Sequence, residues 1–228
     1  METVSEKGHQ VRDVIESKDG TVARLILRDG KPLSAEQDAS ERERLNDLIA
    51  SPAAYAKHVK NGESEKTMAD KLVPMMADAM INTYTPGQPQ SGRNGGALEI
   101  VLDYKPNPKF VPPTTEAQAL TGLEGRVWID AKTRYVVRME GAIARGVNFG
   151  WGMLAHIYPG GKVEMNQTSV GGNRWIFTDF SMQLTVRALM VKKLEIRSSA
   201  KTSNYQTLGP MSYQDAIRLL LATPLPEQ

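Results

Sequence analysis

The chain has 228 residues, of which 40% are hydrophobic and 24% charged, with a formal net charge of +2 and no cysteine; that is the composition of a folded globular protein, not of a disordered or fibrous one. Lacking cysteine, it has no thiolate nucleophile, disulfide or Cys-ligated metal, and lacking an apolar run of about eighteen residues it predicts no transmembrane helix. The charge is uneven, since residues 123–205 hold 12 Lys and Arg against 6 Asp and Glu, while the remainder holds 16 against 20.

Val11, Ile15, Val22, Leu25 and Leu27 flank Ser17-Lys18-Asp19-Gly20, which predicts a β-hairpin over 9–28. After a second Asp29-Gly30 turn, Ser34 with Gln37 three positions later matches a capping box and opens a helix to about Ala50. Ser51-Pro52 begins a second helix that Asn61-Gly62 should stop. A third starts near Ser64, so that helices occupy 34–82. It carries Met68, Leu72, Val73, Met75, Met76, Met80 and Ile81, with an expected kink at Pro74.

Residues 85–96 are mostly Pro, Gly, Gln, Ser and Asn with almost no apolar anchor, which predicts a mobile loop. A β meander follows over 97–205. Its first strand, around Leu98, Ile100 and Leu102, ends at Pro106 and Pro108, and Thr115 is placed to cap a short helical turn through Leu120. Tyr135, Val137, Met139 and Ile143 then share one face against Arg138 and Glu140. Val147, Phe149, Trp151, Met153, Ala155 and Ile157 predict one long strand. Pro159-Gly160-Gly161 and Gly171-Gly172-Asn173 predict turns, and Ile176, Phe180, Met182, Leu184 and Val186 mostly share a parity. Ala188-Leu189-Met190-Val191 is apolar on both parities, which predicts a bulge or turn before Leu194 and Ile196. Ser212 opens a final helix over 212–222, with Ala216, Ile217, Leu220 and Leu221 on one side. The expected architecture is a single α+β domain with a wide, curved, unclosed antiparallel sheet.

The residues supply no catalytic constellation. His9, His58 and His156 are far apart and lack metal-ligand spacing. Gly146, Gly150 and Gly152 lie in a strand pattern, with no following helix to hold phosphate. No Gly-x-Ser-x-Gly elbow is present, and the pairs Arg134-Tyr135 and Arg174-Trp175 fall short of a nucleic-acid surface. No catalytic residue, metal or cofactor is therefore expected.

Gly125-Arg126-Val127-Trp128-Ile129-Asp130-Ala131-Lys132-Thr133 followed by Val136-Val137-Arg138-Met139-Glu140 resembles a strand pair that recurs in bacterial envelope proteins of the LolA-like class, which includes outer-membrane lipoprotein carriers and the sensor domain of anti-sigma regulators. Residues 25–33, Lys105-Pro106-Asn107-Pro108 and Val147-Asn148-Phe149-Gly150-Trp151-Gly152 are similar to phrases in a group of uncharacterised secreted bacterial proteins. The resemblance implies a half-barrel wrapped over helices, a periplasmic or secreted location with the signal peptide absent from this sequence, and a concave apolar face that shelters acyl chains. It transfers no active-site motif.

The leading expectation is a non-enzymatic carrier or sensor of a lipid or acylated lipoprotein. Its candidate lining is Met68, Met75, Met76, Met80, Trp128, Met139, Phe149, Trp151, Met153, Trp175 and Phe177, an apolar set that suits a hydrophobic guest. The same residues equally suit a filled core. The alternative is an envelope protein-interaction module that uses the basic outer face or the sheet edge.

Overall fold

A computed structural model describes residues 1–6, 8–92, 96–150, 154–171, 174–188 and 192–226, and the side chains of 63–71, 73 and 192 fall outside that description. Contacts divide the chain into two compact units, Met1–Met68 with Thr202–Gln228, and Ala69–Lys201.

In the first unit, β1 (Glu2–Ser5), β2 (Gly8–Ser17), β3 (Gly20–Arg28) and β4 (Lys31–Pro32) pair antiparallel in the order β4-β3-β2-β1. The predicted hairpin is β2–β3, with Ser17 opposite Gly20. Asp29 and Gly30 both take positive φ, 52° and 75°, as a tight two-residue turn between β3 and β4 requires. The capping box at Ser34 is present in both directions and starts α1 (Ala35–Ala50). Helix α3 (Tyr213–Ala222) is capped by Ser212. Ile15, Val22, Leu45, Leu48, Ile217 and Leu220 fill the core, where the rings of Tyr55 and Tyr213 stack 3.5 Å apart. Arg24 is 1% exposed. Its Nη1 donates to the carbonyls of Leu220 (2.7 Å) and Thr223 (2.6 Å), and its Nη2 to Asp38 Oδ1 (2.9 Å).

The helical stretch differs from the sequence reading. Instead of two helices broken at Asn61-Gly62, one helix, α2, runs Pro52–Ala79 and contains Pro74. Gly62 is not in the left-handed region, and an interior glycine costs only about 1 kcal/mol relative to alanine, which a helix of this length absorbs. The helix also stops short of residue 82: Met80 and Ile81 begin strand β5 (Met80–Tyr84), where β-branched and aromatic side chains suit a pleated surface.

The second unit contains the end of α2, β5, β6 (Gln90–Ser91), β7 (Leu98–Pro106), a 3-10 turn (Glu116–Gly122), β8 (Leu123–Asp130), β9 (Val136–Ile143), β10 (Val147–Phe149), β11 (Ala155–Ile157), β12 (Lys162–Ser169), β13 (Trp175–Ala188) and β14 (Lys192–Lys201). Within it the strands run in the order β14-β13-β12-β9-β8-β7-β5, β6 adds to β7, and the β10–β11 pair adds to β13. Among the described residues every pairing is antiparallel and β5 does not meet β14, so the protein is α+β with a large unclosed antiparallel sheet.

Three local expectations are corrected here. Residues 147–157 are not one strand but a hairpin, with Val147 opposite Ile157 and Phe149 opposite Ala155. Gly150 takes φ 55°, a conformation that lets the chain reverse where a side chain would resist. The described part of 85–96 is pinned, not free. Gln88 Oε1 accepts from Val101 N (2.8 Å), Thr85 N donates to Val101 O (3.1 Å), and Gly92 N donates to Ala97 O (3.0 Å). The hydroxyl that caps the 3-10 turn is that of Thr114, which accepts from Ala117 N at 3.2 Å; Thr115 makes no side-chain cap. Of the bulge or turn expected at Ala188-Leu189-Met190-Val191, residues 189–191 lie outside the described residues; on either side, Ala188 pairs with Lys192.

Candidate functional site

Cross-strand register in the second unit lines up an apolar row. Leu102 lies opposite Val127, Val127 opposite Met139, Met139 opposite Met165, Met165 opposite Phe180, and Phe180 opposite Ala200. Directly opposed residues share a face, so six strands contribute to one continuous apolar floor. Gly141, Val163 and Met182 form the neighbouring row, and Leu184 lies opposite Ile196 on the same side.

Coverage of this floor changes along its length. At the β7–β9 end, Leu72, Met75, Met76 and Ala79 of α2 pack with Met80, Tyr104, Leu120, Val127 and Met139 into a buried cluster. Burial drives the Tyr104 phenol pKa far up. Its hydroxyl donates to the Glu140 carbonyl at 2.8 Å, which satisfies the polar group inside apolar surroundings. A second cluster joins Ile143, Val147 and Ile157 with Phe149, Leu184 and Val186. Between the two, Val163, Met165, Phe180, Met182 and Ile196 stay half-buried and belong to no buried cluster of the described residues.

The structure brings together only some of the sequence-derived lining. Met75, Met76, Met80 and Met139 meet in the cluster beneath α2, where Met80 is 5% exposed. Trp128 lies on the opposite face, across from Arg138, whose guanidinium sits 4.5 Å from the ring centre. Phe149 packs with the second cluster, Trp175 stacks on Tyr135 at 5.4 Å, and Phe177 is 54% exposed. The Met68 side chain, Trp151 and Met153 lie outside the described residues. Sequence reasoning missed Met165, Phe180, Met182 and Ile196 as lining. Their parities carried the signal, but only strand register places them on the same face as Met139.

No group of three or more His, Asp or Glu side chains positioned for a metal ion occurs among the described residues. A groove of about 460 Å³ beside the 3-10 turn is lined by Thr115, Gln118, Asn148 and Gly150. No helix is long and apolar enough to cross a membrane among the described residues. No protein-family model, curated protein or solved structure matches the chain.

Proposed function

We propose that the protein is a non-enzymatic carrier or sensor of the bacterial envelope that holds a lipid-like or acylated ligand against the apolar floor, in the manner of the LolA-like class. The supporting observation is the continuity of that floor past the end of α2. Met165 and Phe180 extend the row begun by Val127 and Met139, Val163, Met182 and Ile196 lie on the same face beside it, and all five remain half-buried. An acyl chain lying there would remove apolar area from water at about 25 cal/mol per Å², and the unbranched thioethers of Met165 and Met182 adapt to guests of varying shape. The covered methionines have a different role: Met80 is core.

Native mass spectrometry with organic extraction, on protein purified from a bacterial envelope fraction, tests this reading. A co-purifying lipid is expected, and it should be lost in a Met165→Gln/Met182→Gln variant that keeps its melting temperature. Met80→Gln should instead destabilise the fold by about 2–5 kcal/mol. An apo mass that persists with lipids supplied would overturn the proposal.

A further inference from the structure

On the face turned away from the Ile143–Val147–Ile157 cluster, a row of polar and cationic residues crosses four strands in register. Asn148 of β10 lies opposite His156 of β11, His156 opposite Arg187 of β13, and Arg187 opposite Lys193 of β14. The intervening positions Val147, Ile157 and Val186 point into the core, which fixes the facing of the row. His156 Nδ1 donates to Asn148 Oδ1 at 2.7 Å, and its ring meets Tyr158 edge-on at 4.6 Å. Lys193 Nζ rests 5.3 Å from the Tyr158 ring centre. Asn148, His156, Tyr158 and Lys193 are thus linked by side-chain contacts.

Its charges are unbalanced. Directly opposed positions bring side chains within about 5 Å, and like charges there are destabilising, yet Arg187 faces Lys193 with His156 on its other side. Arg187 Nε is buried without a hydrogen-bond partner, and neither Arg187 nor Lys193 enters an ion pair among the described residues. Glu195, two positions along on the same face, is engaged by Arg197 at 3.0 Å. A buried donor without an acceptor is costly, and beside a second cation an anion is the acceptor that would also offset the charge.

We propose that Arg187, Lys193 and His156 form a binding site for a phosphate group. A phosphate presents more oxygens than the two of a carboxylate, so Arg187, Lys193 and His156 can each meet a separate oxygen. The site lies on the face opposite the core and stands independently of the lipid reading.

The test titrates the full chain with inorganic phosphate, against chloride at matched ionic strength, and follows the His156 imidazole by NMR with His9 and His58 as references. A saturable His156 shift specific to phosphate is expected. Arg187→Gln and Lys193→Gln should each weaken it at least about tenfold, the equivalent of one charge-assisted hydrogen bond. Co-sedimentation with phosphatidylglycerol vesicles but not phosphatidylcholine, weakened by the same substitutions, would assign the phosphate to a lipid head group. Phosphate binding without vesicle retention would assign it to a small phosphorylated ligand. A His156 shift reproduced by chloride, or unaffected by both substitutions, overturns the proposal. If Arg187→Gln lowers the melting temperature, Lys193→Gln at its exposed position decides the matter.

Discussion

Replacing Arg24 by methionine keeps most of the aliphatic stem and removes one guanidinium from a site that is 1% exposed. Two acceptors in the last turn of α3, the carbonyls of Leu220 and Thr223, lose their donors at 2.7 and 2.6 Å; terminal carbonyls of this kind have no partner within their own helix. Asp38 loses its 2.9 Å contact but keeps Arg42 at 2.8 Å. Two acceptors left without donors, at about 1–3 kcal/mol each, together cost about 3–5 kcal/mol, a large part of the roughly 5–15 kcal/mol by which a domain is stable. A chain of this size should then melt about 6–20 °C lower, at about 2–4 °C per kcal/mol. Urea unfolding followed by far-UV circular dichroism measures the loss, and hydrogen exchange locates it, because protection should fall first in α3. A loss below about 1 kcal/mol, the range of an exposed ion pair, or α3 amides as protected as before, would refute the reasoning.

Two further outcomes follow from single contacts. Gly125→Ala would drive its Cβ into the Glu140 carbonyl of the neighbouring strand, and should destabilise the second unit by at least about 1–3 kcal/mol, read from its denaturation midpoint. Asp130 is held below the ordinary carboxylate value by the Thr133 amide and then the Thr133 hydroxyl, with the Lys132 amide adding to them against burial. For Asp38, burial opposes ionisation but the hydrogen bonds from Arg42 and Arg24 outweigh it and hold its pKa low as well. A carboxylate with a lowered folded pKa contributes its full stabilisation above the ordinary value near 4 and loses it as pH falls through the folded value. Stability should therefore drop below about pH 4, less steeply in Asp130→Asn; an unchanged acid limb in that variant would refute the assignment.

Local grammar was readable from the sequence where the signal was local. Ser34 with Gln37, Asp29-Gly30, and Ser212 ahead of the last helix each specify a cap or turn through hydrogen bonds among near neighbours. Gly62 and Gly150 misled in opposite directions, one read as a stop inside a continuous helix and the other as part of a strand that in fact reverses. A glycine permits a positive φ without demanding it, and the choice is made by partners distant in sequence. The candidate lining was legible in kind but not in membership. Alternation assigned Trp128 no particular neighbour, and only the β8–β9 register sets it beside Arg138, on the reverse of the sheet from Met139. The basic row was invisible for the same reason, since Asn148, His156, Arg187 and Lys193 become a group only when four strands pair.

The contact from Arg24 to Leu220 joins positions 196 residues apart, and this sets an order of assembly. Residues 69–201 form a unit that is uninterrupted in sequence, whereas the first unit is split between the two ends. The β2–β3 hairpin and α1 appear earliest yet must wait, with Ile15, Val22 and Leu45 uncovered and one arginine without its acceptors, until Ile217, Leu220 and Thr223 have left the ribosome. Parts made first are thus finished last, and the interval exposes apolar surface of the sort that favours chaperone capture or aggregation.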